Sequence, residues 1–156
     1  MTRVLVAGIG NIFLGDDGFG VEVVRRLAAR WLPEGVEVAD IGVRGLHLAY
    51  QLLEGYDVLI AVDIISRGNA PGTIYVLEPN VDEAGVTPDA HAIDLAQVFA
   101  MVRTLGGQLG RVLVVGCEPA ELSEQMGLSP PVERAVEPTV QRIRELAGGM
   151  QNGTQP

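Results

Sequence analysis

Short apolar runs alternate along the chain with longer segments in which apolar residues recur at helical spacing. The runs are rich in Val, Leu and Ile and end near glycine or aspartate, which is typical of buried strands. They predict strands at residues 3–7, 36–41, 58–64, 73–77 and 111–116.

Helical spacing predicts four helices in the segments between and after these strands. One covers residues 45–54, and an earlier one carries the apolar positions Val21, Val24, Leu27, Ala28 and Trp31. Asp94 is expected to cap a third helix, whose apolar face consists of Leu95, Val98, Phe99 and Val102. Pro130 opens the fourth, which is expected to run to Ala147 with a kink at Pro138.

The alternation of strands and helices predicts a three-layer α/β fold, with helices on both faces of one sheet. Residues 67–72 are too few for a parallel crossover, which needs about a dozen residues. The strand at 73–77 is therefore expected to run antiparallel to its predecessor, in a mixed, mostly parallel sheet. We assign one domain to residues 1–147 and expect a flexible tail over residues 148–156, which are rich in Gly, Gln and Asn.

Composition argues against several classes of function. The formal net charge is −9 and the chain has no lysine, which disfavours nucleic acid or an anionic membrane as partner and removes lysine-dependent chemistry. Cys117 is the only cysteine, so no internal disulfide can form. No apolar run approaches the ~18 residues of a membrane span, and we expect a cytoplasmic protein.

Three aspartates are candidates for a functional site. Asp63 lies in the apolar run at residues 58–65, where an ionised carboxylate is costly unless it is hydrogen-bonded, paired or metal-bound. It also lies at the carboxyl end of a strand, where α/β proteins bind their ligands. Asp16 and Asp17 precede the first helix, and one of them could be its N-cap, but a cap does not account for two adjacent acids.

His91 lies in the loop before the third helix, from which it can reach the same edge of the sheet. With Asp63 and one of the paired aspartates it forms a set of two carboxylates and one imidazole. Such a set can bind a divalent metal and leave coordination positions open for a substrate. His47, on the second helix, has no role that the sequence identifies.

Other motifs have simpler interpretations. Gly8-Ile9-Gly10 matches only part of a dinucleotide-binding fingerprint, because the third glycine position is Phe13, so a tight turn is preferred and nucleotide binding is an alternative. Cys117 is interpreted as a small buried hydrophobe, with a thiolate nucleophile activated by His91 as the alternative. No serine lies in a G-x-S-x-G elbow, which argues against a serine hydrolase.

The combination and order of motifs resemble those of the nickel–iron hydrogenase maturation proteases, over nearly the whole chain except the tail. The resemblance is carried by Gly8-Ile9-Gly10-Asn11, Gly15-Asp16-Asp17-Gly18-Phe19-Gly20, Arg44-Gly45, Val62-Asp63, Asn69-Ala70-Pro71-Gly72-Thr73, His91, Gly127-Leu128-Ser129-Pro130 and Val132-Glu133. It implies a five-stranded twisted sheet and a divalent-metal site formed by Asp17, Asp63 and His91. The first ligand is often Glu in relatives and is Asp here.

The resemblance also implies an endopeptidase that removes the C-terminal extension of the hydrogenase large subunit precursor after nickel insertion. We expect it to act in the cytoplasm as a monomer. The substrate would supply the nickel, and another divalent metal could substitute for it. Two roles for the metal stay open. The site could recognise nickel already held by the substrate, or the metal could polarise the scissile carbonyl or activate water, with Asp17 or Asp63 as a base. Three ligands form an incomplete cage, so we expect the isolated protein to bind metal weakly.

Two other classes of protein could use the same residues. A non-catalytic chaperone that binds metal or precursor is favoured by the lack of an obvious nucleophile. A small-molecule metallohydrolase would need no protein partner. The sequence does not name the partner hydrogenase, and Arg44-Gly45-Leu46-His47-Leu48, which follows a strand near the same edge, is a candidate for selecting it.

Overall fold

The computed structural model describes residues 1–79 and 94–151, and each strand and helix predicted within these ranges is present. The strands are β1 (Val4–Ile9), β2 (Val36–Gly42), β3 (Val58–Ile64), β4 (Ile74–Leu77) and β5 (Arg111–Cys117). The α-helices are α1 (Phe19–Ala28), α2 (Gly45–Leu52), α3 (Leu95–Thr104) and α4 (Pro130–Gln151). A short 3-10 helix, Gly15–Gly18, which the sequence did not predict, precedes α1.

The strands form one sheet in the order β2-β1-β3-β5-β4. The first four are parallel, and β4 is antiparallel to β5, so the predicted mixed, mostly parallel sheet is confirmed. The direction of β4 is also as predicted, but β4 lies beside β5 rather than beside β3. The four parallel strands end at one side of the sheet, which we call the carboxyl edge.

Helices cover both faces of the sheet, as the three-layer prediction requires. α1 and α4 pack on one face, against the even-numbered residues of β3, and α2 and α3 pack on the other, against the odd-numbered residues. Every residue of β3 is buried, which is typical of a central parallel strand. No helix within the two described ranges is long and apolar enough to cross a lipid bilayer.

The predicted apolar face of α1 is wrong at its C-terminal end. α1 ends at Ala28, which is exposed, and Trp31 lies beyond the helix with 77% of its surface exposed. The helix stops because the Ala29 amide turns back to the carbonyls of Arg26 and Leu27, after which the chain leaves the helical path before Pro33. The helical periodicity of apolar residues in the sequence therefore extends beyond the last residue of α1 that packs on the core.

The prediction of a tail from residue 148 is also wrong for its first four residues. α4 continues through Gly148 to Gln151 rather than ending at Ala147, and Pro138 lies inside it. Met150 is buried in the core, and the Gln151 side chain donates a hydrogen bond to the carbonyl of Thr2. These contacts hold the last turn of the helix against the start of β1. Residues 152–156 lie outside the described ranges.

Two glycines, Gly8 in β1 and Gly20 in the first turn of α1, allow α1 to approach the sheet at backbone distance. A Cβ built on Gly20 would lie 2.1 Å from the carbonyl oxygen of Val62 and 2.5 Å from that of Ile9. A Cβ on Gly8 would lie 2.5 Å from the carbonyl oxygen of Gly20. The glycines are therefore packing positions, which agrees with the structural interpretation of the Gly8-Ile9-Gly10 motif and not with a nucleotide fingerprint.

Gly20→Ala is expected to lower the free energy of unfolding by at least about 2 kcal/mol, because backbone atoms on both sides leave no room for a methyl group. Urea denaturation measures the change. Gly148→Ala is the matched control, since no atom lies within 4 Å of its added carbon and alanine stabilises a helix by ~0.5–1 kcal/mol relative to glycine. Equal stabilities of the two variants would contradict the close contact.

Candidate functional site

Asp17 and Asp63 lie at the carboxyl edge of neighbouring strands. Asp63 is the penultimate residue of β3, and Asp17 belongs to the 3-10 helix that follows β1. β1 and β3 are paired, with Gly8 opposite Val62, and the 3-10 helix contacts β3. The fold therefore brings both predicted acids to one edge, from positions 46 residues apart in the sequence.

Both carboxylates are buried and oriented by backbone amides. Asp17 is 2% exposed, and its Oδ2 accepts a hydrogen bond of 2.8 Å from the Asn11 amide. Asp63 is 9% exposed, and its Oδ1 accepts one of 2.7 Å from the Ile64 amide. A carboxylate has several lone-pair positions, so it can accept a hydrogen bond from an amide at one oxygen and still bind a cation.

Gly10 lets the loop after β1 close over Asp17. Its φ is +133°, a conformation that favours glycine, and a Cβ at this position would lie 2.0 Å from the Asp17 carbonyl oxygen. The Gly10 amide also donates to the carbonyl of Gly42, which ties the loop to β2. The amide of Asn11 is thereby placed beside the Asp17 side chain.

Asp16, the other member of the acidic pair, holds a loop in place. The residue is fully buried, and Oδ2 accepts hydrogen bonds of 2.8 Å from the Ala120 amide, the Glu121 amide and the Ser129 hydroxyl. Oδ1 accepts a fourth, of 2.7 Å, from the Ser129 amide. Neither acid caps α1, whose N-cap is Gly18 without a side-chain bond. The cap considered for one of the pair is therefore wrong.

Glu118 is a buried acid that sequence reasoning missed. It follows β5, is 5% exposed, and accepts hydrogen bonds from the amides of Arg67 and Asn69 and from the Tyr75 hydroxyl. Burial raises its pKa, but these donors outweigh burial, so the pKa of the carboxyl lies below its usual range. An acid at the carboxyl end of an apolar strand is part of the signal that singled out Asp63, and Glu118 directly follows the apolar run of β5.

Cys117 is a buried residue at the end of β5, as its default interpretation predicted. Burial raises the pKa of its thiol to about 12, and the nearby carboxylate of Asp16 adds to the increase. A thiolate nucleophile is disfavoured, because nucleophilic cysteines have a lowered pKa and an accessible sulfur.

The structure describes only one of the two histidines, His47. His91 lies outside the described residues, so its predicted place beside Asp17 and Asp63 stays a prediction. His47 is exposed on α2. Among residues 1–79 and 94–151, no group of three His, Cys, Asp or Glu side chains forms a metal-binding cluster. The described ranges thus contain the two proposed carboxylate ligands but not a complete set.

A partly apolar groove of about 320 Å³ is lined in part by Asn11, whose amide donates to Asp17. Its walls include Gly10, Asn11 and Phe13 from the loop after β1, and Val43 and Arg44 from the loop after β2. Phe13 is 61% exposed and Val43 53%. The groove therefore presents apolar side chains to solvent directly beside the backbone that orients Asp17, where a polypeptide could lie.

Comparison with known proteins gives consistent matches along the chain. Residues 21–146 match the family model described as hydrogenase maturation protease. The Hydrogenase 2 maturation protease of Escherichia coli is 35% identical over 146 residues, which cover 90% of this chain and 88% of that protein.

Solved structures with the same fold carry related names. The hydrogenase maturating endopeptidase HybD from Escherichia coli superimposes with a TM-score of 0.81 at 34% identity, over 97% of this chain and 94% of its own. A hydrogenase 2 maturation peptidase from a Thaumarchaeota archaeon gives 0.73 at 33% identity, over 94% of this chain and 99% of its own. The similarity therefore extends to the whole fold as well as to the motifs.

The thiol of Cys117 is expected to resist Ellman's reagent in the native protein at pH 8, because a pKa of about 12 leaves only about one thiol in 10,000 ionised and the sulfur is buried. Stoichiometric reaction is expected in guanidinium chloride. Because the pKa of the thiol is higher in the folded than in the unfolded state, the buried neutral thiol stabilises the folded protein at pH values below the unfolded-state pKa near 9. This stabilisation is lost as the pH rises toward 12. Rapid labelling of native protein at pH 8 would refute the inert-thiol assignment.

Proposed function

This chain belongs to the hydrogenase maturation protease family, and on that premise we propose that it removes the C-terminal extension of a nickel–iron hydrogenase large subunit precursor after nickel insertion. The observation that carries the proposal is the pair of buried carboxylates, Asp17 and Asp63, at the carboxyl edge of neighbouring strands. We further propose that it acts in the cytoplasm, as a monomer, on the precursor as its protein partner.

The proposed ligands of the nickel are Asp17, Asp63 and His91. Backbone amides orient both carboxylates, and Asp63 belongs to the face of the sheet that α2 and α3 cover. His91 precedes Asp94, the N-cap of α3, by three residues. Two carboxylates and an imidazole suit a borderline divalent ion such as nickel.

The metal belongs to the substrate in this proposal. Three side chains from the protease can complete the coordination of a nickel ion that the precursor already holds, and this would position the adjacent peptide. When bound, the ion can also polarise the scissile carbonyl or activate water. Under direct metal catalysis, Asp17 or Asp63 would act as a base and accept a proton of the attacking water. The buried Cys117 thiol argues against a covalent thioester route.

The groove beside Asp17 supports a protein substrate over a small molecule. Phe13 and Val43 are exposed apolar residues on its walls, and such residues at a site edge are typical of protein interaction surfaces. Arg44 lines the same groove, and Leu46 and His47 are exposed on the first turn of α2. These positions support the proposal that residues 44–48 help to select the partner hydrogenase.

Asp17→Ala, Asp63→Ala and His91→Ala are each expected to abolish processing, because each removes a ligand of the nickel. Purified protein is incubated with nickel-loaded precursor, and loss of the C-terminal peptide is followed by mass spectrometry. Asp94→Asn is the control, since it removes an acid beside the same segment while asparagine keeps the N-cap. Cys117→Ala should also process normally.

Each outcome separates the alternatives. Normal processing by His91→Ala would show that the ligand assignment is wrong. A stable complex of wild-type protein with precursor, without cleavage, would favour the chaperone. Cleavage of nickel-free precursor after zinc is added would favour direct metal catalysis over recognition of substrate nickel. Hydrolysis of a chromogenic ester without any precursor would favour a small-molecule metallohydrolase.

Phe13→Ser is expected to raise the KM for precursor about 10-fold or more with little change in kcat, because it removes apolar contact area for the substrate but none of the proposed nickel ligands. Trp31→Ser is the matched control. Trp31 is 77% exposed and shares a groove with Gln151, which contacts Thr2 before β1, so it lies at the opposite edge of the sheet. Equal effects of the two substitutions on KM would contradict docking at the groove.

A further inference from the structure

We propose that the loop between β5 and α4, residues 118–129, is a brace that fixes the relative positions of Asp17 and Asp63. In this view Asp16 and Glu118 are positioning residues for the reaction. The proposal rests on the proposed function for its catalytic part only. The loop contains no helix or strand, and a loop of this length in a compact domain is commonly functional.

Asp16 fixes the brace to the element that carries Asp17. Its carboxylate accepts hydrogen bonds from the Ala120, Glu121 and Ser129 amides and from the Ser129 hydroxyl, all at 2.7–2.8 Å. The backbone adds bonds from the Gly15 amide to the Gln125 carbonyl at 2.7 Å, and from the Asp16 amide to the Glu121 carbonyl at 2.9 Å. The 3-10 helix therefore cannot shift without the loop.

Glu118 fixes the same brace to the segment that follows Asp63. Its carboxylate accepts bonds from the Arg67 amide at 2.9 Å and the Asn69 amide at 3.2 Å, in the turn after β3. Its own amide donates to the Thr73 carbonyl, and its carbonyl accepts from the Gly72 amide, both at 2.8 Å. Residues 67–73 are thus held by the first residue of the brace.

The hydrogen bonds of Asp16 and those of Glu118 involve the same short segment at the start of the loop. Glu118 is only two residues from Ala120, whose amide donates to Asp16, so both sets of hydrogen bonds start within one three-residue segment. Hydrogen bonds to buried carboxylates are stronger than those between neutral groups, which suits them to fixing a geometry. A displacement at either anchor would change the spacing between the Asp17 and Asp63 carboxylates.

Asp16→Asn and Glu118→Gln preserve side-chain shape but replace an accepting oxygen with an NH2 donor that faces other donors. Each is expected to reduce kcat for precursor cleavage about 10- to 100-fold, as loss of a group that orients a ligand does. KM is expected to change less, because neither residue lines the docking groove. Ile143→Val, in the fully buried core of α4, is the control for lost stability. All proteins are assayed at a temperature at which each is folded.

Hydrogen exchange gives a readout that does not depend on activity. The Asn11 amide binds Asp17 and the Ile64 amide binds Asp63. Asp16→Asn is expected to speed exchange at Asn11, and Glu118→Gln at Ile64, each by more than the fall in global stability explains. If the wild-type protein does not cleave precursor, the proposed function fails, while these exchange rates still test the brace.

The proposal would be overturned if Asp16→Asn and Glu118→Gln both kept the wild-type kcat and exchange rates. It would also be overturned if Ile143→Val lost as much kcat as they do. If Asp16→Asn does not fold, Ser129→Ala provides a milder test. This substitution removes the hydroxyl donor and keeps the hydrogen bond from the backbone amide of residue 129 to Asp16. It should change kcat and Asn11 exchange in the same direction by a smaller factor, and no change in either would also overturn the proposal.

Discussion

A carboxylate that leaves water needs hydrogen-bond donors inside the protein, and among the residues that the structure describes four acids are buried at the carboxyl edge of this sheet. Asp16, Asp17, Asp63 and Glu118 are each at most 9% exposed. Main-chain amides donate to all four, from loops to Asp16, Asp17 and Glu118 and from Ile64 at the end of β3 to Asp63. An acid without such donors would destabilise the fold by several kcal/mol, on the order expected for a buried unpaired charge. The courses of the loops after β1, β3 and β5 are therefore set by the acids that they enclose.

Close packing of the backbone makes this arrangement compact. β3 lies between β1 and β5, so the loops that leave these three strands meet above the centre of the sheet. Gly20 allows α1 to begin in contact with the carbonyls of Ile9 and Val62, and this contact brings the preceding 3-10 helix against β3. A larger residue would displace the helix and the acid pair together. The glycines and the acids thus form one structural unit, although the sequence presents them as separate motifs.

The sequence predicted the fold well wherever burial alone determines the structure. The bounds of β3 were predicted correctly because every one of its residues is buried, and Asp94 was recognised as a cap because its signal is local. Trp31 was misplaced because apolar spacing does not reveal where a helix leaves the core. The role of Asp16 could not be predicted, since its donors lie more than 100 residues away in the sequence. Glu118 could have been noticed, but its partners in the turn after β3 could not.

The electrostatics of this edge suit the proposed use of nickel, which the family resemblance implies. The chain has a formal net charge of −9 and no lysine, and four of its acids are buried at the edge where the substrate would enter. A negative potential in a partly buried site attracts cations, and low local dielectric strengthens the attraction. The three proposed protein ligands would nevertheless leave coordination positions that only the precursor would fill. Much of the binding energy of the ion would then become available only when the precursor carries it, so nickel loading and engagement of the protease would be coupled. A rigid brace serves such a mechanism, because ligands that are already in place lose little conformational entropy when the ion arrives.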